Sequence, residues 1–179
     1  MIRRREFLAG LGAIGTLAGL DGCAVARRPA ATARVIVIGG GYAGTTAAKY
    51  LRMMSGYTLE VVLIEPGAQF ISAPISNLVI SGDLEVADIT SSYDGLRRRH
   101  GVTLVRDRVT DIDLEGKTVR LEHASALRYD RLVLAPGIEP MFDAIPGLAA
   151  ASAAGSVLQA WSAGPETVAL HRQLLAMRD

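Results

Sequence analysis

A glycine string set between two apolar runs constrains this chain more than any other feature. Arg34-Val-Ile-Val-Ile38 is a continuous β-branched run. Such runs form strands buried on both faces. Gly39-Gly40-Gly41-Tyr42-Ala43-Gly44 follows at once. Next comes Thr45 to Met54, with small residues first, Leu51 and Met54 later, and Gly56 as its stop. That pattern predicts a helix packed close to a sheet. Leu59 to Ile64 reads as a second buried strand, ending at Glu65-Pro66. Together these segments make a compact β-α-β unit.

The spacing Gly39-x-Gly41-x-x-Gly44 has a physical meaning in that setting. Gly39 permits the tight turn, Gly41 lets the backbone approach a pyrophosphate, and Gly44 lets the helix pack against the strand. The helix N-terminus adds free N–H groups and a partial positive charge. Glu65 lies 21 residues beyond Gly44. A carboxylate there can accept both hydroxyls of an adenosine ribose, and it repels a ribose 2′-phosphate, which disfavours NADP. The bland alternative is a glycine-rich turn beside a surface acid; the flanking strands and helix argue against it. The string alone does not separate FAD from NAD.

Residues 66–90 read as irregular, broken by Pro66, Gly67, Pro74 and Gly82. Tyr93 to His100 reads as a short helix stopped by Gly101, with Arg97-Arg98-Arg99 as its solvated end, and Val102 to Val105 as a short strand. Val109 to Leu114 and Thr118 to His123 flank Glu115-Gly116-Lys117 as a hairpin. Arg131-Leu-Val-Leu134 reads as another buried strand, stopped by Ala135-Pro136-Gly137. After an Ala- and Gly-rich stretch, a last helix is expected from Pro165 to about Met177. The fold class is α/β: a Rossmann-like dinucleotide-binding domain, FAD-binding by the resemblance given below, with a parallel sheet, a hairpin excursion, and an incomplete remainder.

Half of the 179 residues are hydrophobic, 21% are charged, and the net charge is +1. That is an ordinary globular balance. No basic stripe or motif points to nucleic acid. The single cysteine, Cys23, excludes an intrachain disulfide and a thiol pair. His100, His123 and His171 are scattered, so no metal site is expected.

The first thirty residues read as an address. Arg4-Arg5-x-Phe7-Leu8 resembles a twin-arginine signal, and Leu8 to Leu20 is an apolar run of 13 residues. A bilayer-spanning helix needs roughly 20 residues, so the run has the length of a signal core instead. Ala24-Val25-Ala26 fits a small-x-small cleavage site, giving a signal over 1–26 and a linker over 27–33. The alternative is a lipid anchor at Cys23, since Leu20-Asp21-Gly22-Cys23 partly resembles a lipobox. Either reading places the folded domain, residues 34–179, in the periplasm. Removing residues 1–26 leaves sixteen basic and sixteen acidic residues.

Tyr129-Asp130-Arg131 through Ala135-Pro136-Gly137 resembles the second FAD fingerprint of the glutathione-reductase-like flavoproteins, with Pro136 where Thr is more usual. The preceding hairpin fits that resemblance. A narrower one covers most of residues 34–179. Leu63-Ile64-Glu65-Pro66, Ile75-Ser76-Asn77, Tyr93-Asp94-Gly95-Leu96, Ala135-Pro136-Gly137-Ile138-Glu139 and Ala160-Trp161 are similar to the flavoprotein subunits of flavocytochrome c sulfide dehydrogenase.

The resemblance implies an FAD held by Gly39, Gly41, Gly44 and Glu65. Ser76 and Asn77 would stand near the flavin, although a turn cap explains them equally well. The full candidate set for cofactor contact is Gly39, Gly40, Gly41, Tyr42, Ala43, Gly44, Glu65, Pro66, Ser76, Asn77, Val109, Ala135, Pro136 and Gly137. Members of that family oxidise a small inorganic sulfur substrate and pass electrons to a c-type cytochrome partner. Some relatives tether FAD through a cysteine at the position of Ala73, so attachment here is expected to be non-covalent. The family's two redox cysteines would fall beyond the end of this sequence, so no catalytic residue is assigned within it. Two other readings stay open: a related flavin or NAD enzyme, such as a sulfide:quinone oxidoreductase or a type II NADH dehydrogenase, and a fragment without catalysis.

Overall fold

The structure, a computed structural model, describes residues 31–177. The predicted signal over 1–26 and its Cys23 lie outside the described residues. The first predicted unit forms as read: strand β1 is Arg34–Ile38, helix α1 is Tyr42–Met54, and strand β2 is Glu60–Ile64. The helix starts three residues earlier than predicted, because its first turn is made by the Gly41-Tyr42-Ala43-Gly44 segment itself. Met54 faces solvent at 83% exposure, and the packing residues are Ala48, Leu51 and Arg52.

Residues 66–90 are more ordered than the breakers suggested. They contain strand β3 (Gln69–Ile71), a 3-10 turn at Ala73–Ile75 and the short helix α2 (Asn77–Ser81). Pro74 sits inside that turn rather than ending structure, since proline suits the start of a helical segment. Strand β4 (Thr90–Ser92) pairs antiparallel with β3. Helix α3 (Asp94–His100) ends at Gly101 with φ +62, as predicted. Strand β5 is Thr103–Val105.

Strands β6 (Val109–Asp113) and β7 (Thr118–Leu121) form the expected hairpin, and β8 (Leu127–Arg128) adds a short third strand. Strand β9 is Arg131–Leu134. A 3-10 turn at Phe142–Ala144, helix α4 (Leu148–Ala153) and helix α5 (Pro165–Ala176) complete the described chain.

The parallel sheet has the order β5-β2-β1-β9. Its two central strands explain the continuous apolar runs. Val35, Val37, Val61 and Leu63 face a core with Ala48, Tyr93 and Val102. Ile36, Val62 and Ile64 face the other way, onto Val119, Leu121 and Tyr129. Helices thus cover one face of the sheet, and the antiparallel β6-β7-β8 sheet covers the other. Val35 to Val37 and Val61 to Ile64 all have a face to bury, so period-2 alternation disappears.

β9 departs from its prediction. It is only half covered, and Leu134 is 58% exposed. The reason is position: among the described residues β9 is the outermost strand of the sheet and pairs with β1 on one side alone.

Topology places the site. The chain runs from β1 to β2 and β5 on one side, then returns to pair β9 with β1 on the other. The strand order therefore reverses between β1 and β9. In open parallel sheets such a switch point opens a crevice at the carboxyl ends of the strands. Those ends are level here, because Ile38 stands opposite both Ile64 and Leu134.

A buried carboxylate fastens the sheet opposite the helices. Asp107 accepts the N–H groups of Arg108 (2.7 Å), His123 (3.1 Å) and Ala124 (2.9 Å), and His123 Nδ1 lies 3.0 Å away. Those bonds hold its carboxyl down at about 2, with the His123 contact as the largest cause, while Asp107 raises the pKa of His123. The signs oppose. The Asp107 contribution is complete above its unfolded pKa near ~3.9 and is lost as pH falls toward about 2. The His123 contribution is complete below ~6.5 and is lost as pH rises through its raised pKa. Asp107→Asn is expected to lower Tm most between these limits. NMR titration should then move the His123 midpoint down toward its ordinary value, with the smaller upward pull of Glu122 remaining; an unmoved midpoint would remove this clamp from the account.

Candidate dinucleotide-binding site

Each strand of the switch point runs one residue past its formal end with the ladder intact. Gly39 donates its N–H to the Ile64 carbonyl (2.9 Å), Ala135 to Ile38 (2.9 Å), and Glu65 to Val105 (3.0 Å). Gly39, Glu65 and Ala135 thus stand side by side at one edge. The two predicted turns, Gly39–Gly44 and Ala135–Gly137, meet there.

The three glycines of the motif behave differently. Gly39 has φ +100, and a Cβ added to it would run into the Ala135 carbonyl. A Cβ on Gly44 would meet the Gly39 carbonyl oxygen, so the helix sits directly on the turn. Gly41 is the opposite case. A Cβ built there finds nothing within 4 Å. Its backbone is extended (φ −71, ψ −171), and no side chain caps the helix that begins after it. The first N–H groups of an α-helix have no partner inside the helix. Here they sit under an open glycine rather than under a capping side chain, which is the cradle a diphosphate requires.

Glu65 closes the turn from the β2 side. Its carboxylate accepts the Gly40 N–H through Oε2 (2.7 Å) and the Gly67 N–H through Oε1 (2.7 Å). An open groove of about 580 Å³ begins at Glu65 and runs past Gly67, Gln69, Tyr93, Arg97 and Arg106. Each carboxylate oxygen has a second lone pair, so a diol in that groove can be bound without breaking the turn. Pro66 is exposed and leaves the strand directly after the acid.

The other candidates are distributed unevenly. Tyr42 and Ala43 are exposed on the first turn of α1, with the Tyr42 hydroxyl 2.5 Å from Ser72 Oγ and its ring edge-on to Phe70. Val109 opens β6 and packs against the core under the hairpin. Ser76 is buried and donates its hydroxyl to the Ala73 carbonyl (2.8 Å), which is the turn-cap arrangement. Asn77 begins α2 and is exposed. Neither residue lines the Glu65 groove or the hollow beside Tyr42.

Residue-by-residue reading of the sequence missed Tyr93. It is 8% exposed, and its hydroxyl donates to the Gly40 carbonyl (3.1 Å). The available signal was the Tyr93-Asp94-Gly95-Leu96 stretch at the mouth of a helix. Among the described residues Asp107, Glu122 and His123 stand close enough to suggest a cation site. Asp107 is already occupied by three backbone donors and the His123 ring, which favours the clamp described above.

Residues 33–165 match the family of pyridine nucleotide-disulphide oxidoreductases. This chain belongs to that family. Its members are FAD- and NAD(P)-dependent flavoprotein oxidoreductases, which supports a flavin cofactor. The alternative NAD(P)H-ubiquinone oxidoreductase C1 of Arabidopsis thaliana is 31% identical over 130 residues, 64% of this chain and 25% of that protein. The flavoprotein chain of the flavocytochrome c sulfide dehydrogenase of Chlorobaculum thiosulfatiphilum is 46% identical over 48 residues, 27% of this chain and 98% of that sequence. Among solved structures, the sulfide:quinone oxidoreductase of Aquifex aeolicus superposes with a TM-score of 0.68 at 22% identity, over 79% of this chain and 31% of that one. The fold is Rossmann-like, of the FAD-binding type. The chain spans about a quarter of the length of the Arabidopsis relative. No helix among the described residues is long and apolar enough to cross a membrane.

Proposed function

We propose that this chain is the FAD-binding portion of a sulfide dehydrogenase-like oxidoreductase, which takes electrons from a small inorganic sulfur compound and delivers them to a c-type cytochrome. The observation that carries the cofactor assignment is the pairing of an open Gly41 with a Glu65 carboxylate already aimed at the same turn. Gly41 and the first turn of α1 receive the diphosphate, Glu65 takes the adenosine ribose, and Ala135 to Gly137 borders the cofactor from β9. The similarity to a flavocytochrome c flavoprotein chain supports the sulfur substrate and the cytochrome partner. Bound there, the flavin supplies the step between two-electron and one-electron carriers.

Ala73 offers no sulfur for a thioether, so attachment is non-covalent. By the same resemblance Ser76 and Asn77 stand near the flavin. The only cysteine is Cys23, so the thiol pair for sulfur transfer must come from outside these 179 residues. The twin-arginine-like leader suits export to the periplasm of a domain folded around its cofactor.

A second reading is favoured by the longer match to a quinone-linked enzyme, in which the acceptor is a quinone. Purified chain mixed with FAD and dialysed should keep a visible flavin band. Joined with the thiol-bearing remainder, it should be bleached by sulfide and reoxidised by a c-type cytochrome. Loss of the flavin on dialysis would sink the cofactor assignment. Reoxidation by a quinone analogue alone would replace the cytochrome with the second reading.

A further inference from the structure

We infer that Tyr93 is a positioning residue of this site: its hydroxyl fixes the Gly40 carbonyl and so aims the backbone of the glycine turn at the dinucleotide. The inference rests on the dinucleotide reading above and assigns a role to a residue outside the glycine string.

Tyr93 packs its ring into the core among Val35, Val37, Leu63 and Val102. A phenylalanine would fill that volume equally well. A buried phenol needs a hydrogen-bond partner, since leaving it unpaired is costly. Here the partner is 53 residues away in sequence, at the Gly40 carbonyl.

The geometry of one peptide then sets the direction of a donor. All peptide bonds among the described residues are trans. In a trans peptide the N–H points opposite to the C=O. Drawing the Gly40 carbonyl toward Tyr93 therefore turns the Gly41 N–H away from the core, on the residue whose Cβ direction is empty. The preceding peptide is fixed separately, because the Gly40 N–H donates to Glu65. Two consecutive peptides are thus oriented, one by Tyr93 and one by Glu65. The three residues leave no slack: a Cβ on Gly40 would lie 2.6 Å from both Glu65 Cγ and the Tyr93 oxygen.

Burial and the neighbouring Glu65 charge push the Tyr93 pKa up to about 12, so the hydroxyl keeps its proton into alkaline solution. Tyr93 also borders two hollows, the groove at Glu65 and the smaller one beside Tyr42. It stands where the ribose and diphosphate ends of a ligand would meet. Preorganised donors of this kind improve binding by lowering the ordering cost.

The test is Tyr93→Phe in the full chain, with FAD and ADP as probes. Wild type is measured first. The variant keeps the ring and should keep its fold. Its affinity for FAD and for ADP should fall together by about threefold to tenfold, the effect of one hydrogen bond. In the free protein, the Gly40 and Gly41 amide resonances should move while those of β1 and β2 stay in place. Unchanged affinity would overturn the inference. So would a loss accompanied by shifts throughout the sheet, which marks a structural role only. If wild type binds neither probe, the dinucleotide reading itself fails and this role goes with it.

Discussion

Gly41→Val should abolish flavin retention and leave the fold intact. The two halves of that expectation have separate causes. A Cβ at this position has no protein atom within 4 Å, so there is room for a side chain to point outward, and the extended backbone of Gly41 admits a β-branched residue. Folding therefore loses little. A ligand is another matter. The new methyl groups would occupy the space through which a diphosphate reaches the first turn of α1. Forcing such atoms into a filled site costs about 1–3 kcal/mol, which is roughly a tenfold to hundredfold loss of affinity. Lost N–H contacts to the diphosphate add to it. Thermal unfolding of the cofactor-free variant should match wild type, and only wild type should gain stability when FAD is added, as linkage requires. A Gly41→Val variant that keeps its flavin would mean the diphosphate does not lie over this turn.

The sequence made this core legible because one pattern had two independent readings. The apolar runs of β1 and β2 required two covered faces, and the glycine spacing required a turn into a helix. Both demands are met by the same few residues, so each reading supports the other against the bland alternative. Legibility failed where a residue depends on distant partners. β9 carries the same kind of apolar run as β1, and nothing in Arg131–Leu134 reveals that it pairs on one side only among the described residues. Residues 66–90 looked broken because Pro and Gly can start and stop short elements as well as prevent them. Tyr93 escaped for a related reason. Its function is a bond to a carbonyl 53 residues earlier, and a side chain alone does not announce a partner at that distance. Ser76 shows the converse: a local turn bond accounts for its burial, and no contact to the glycine turn is needed.

Gly39→Ala should do the reverse of Gly41→Val and damage the fold before any ligand is present. The backbone of Gly39 has φ +100, a conformation that side chains with a Cβ disfavour by about 1–3 kcal/mol. The added methyl would also strike the Ala135 carbonyl group, with its carbon 2.7 Å away and the Pro136 nitrogen 3.3 Å away. That carbonyl cannot retreat freely, because the Ala135 N–H is tied to Ile38 in the β1–β9 ladder. Overpacking of this kind adds about 1–3 kcal/mol. A combined cost on the order of 2–6 kcal/mol is a large part of a domain's stability and should lower Tm by roughly 5–20 °C. The loss should reach β9, since the strain is relieved most directly by pulling Ala135 away from Gly39. Hydrogen exchange would then quicken first at Ala135 and along Arg131–Leu134, while β2 stays protected. An alanine variant as stable as wild type, with β9 equally protected, would show that the two turns do not bear on one another, and the switch-point site would lose the wall that Ala135 provides.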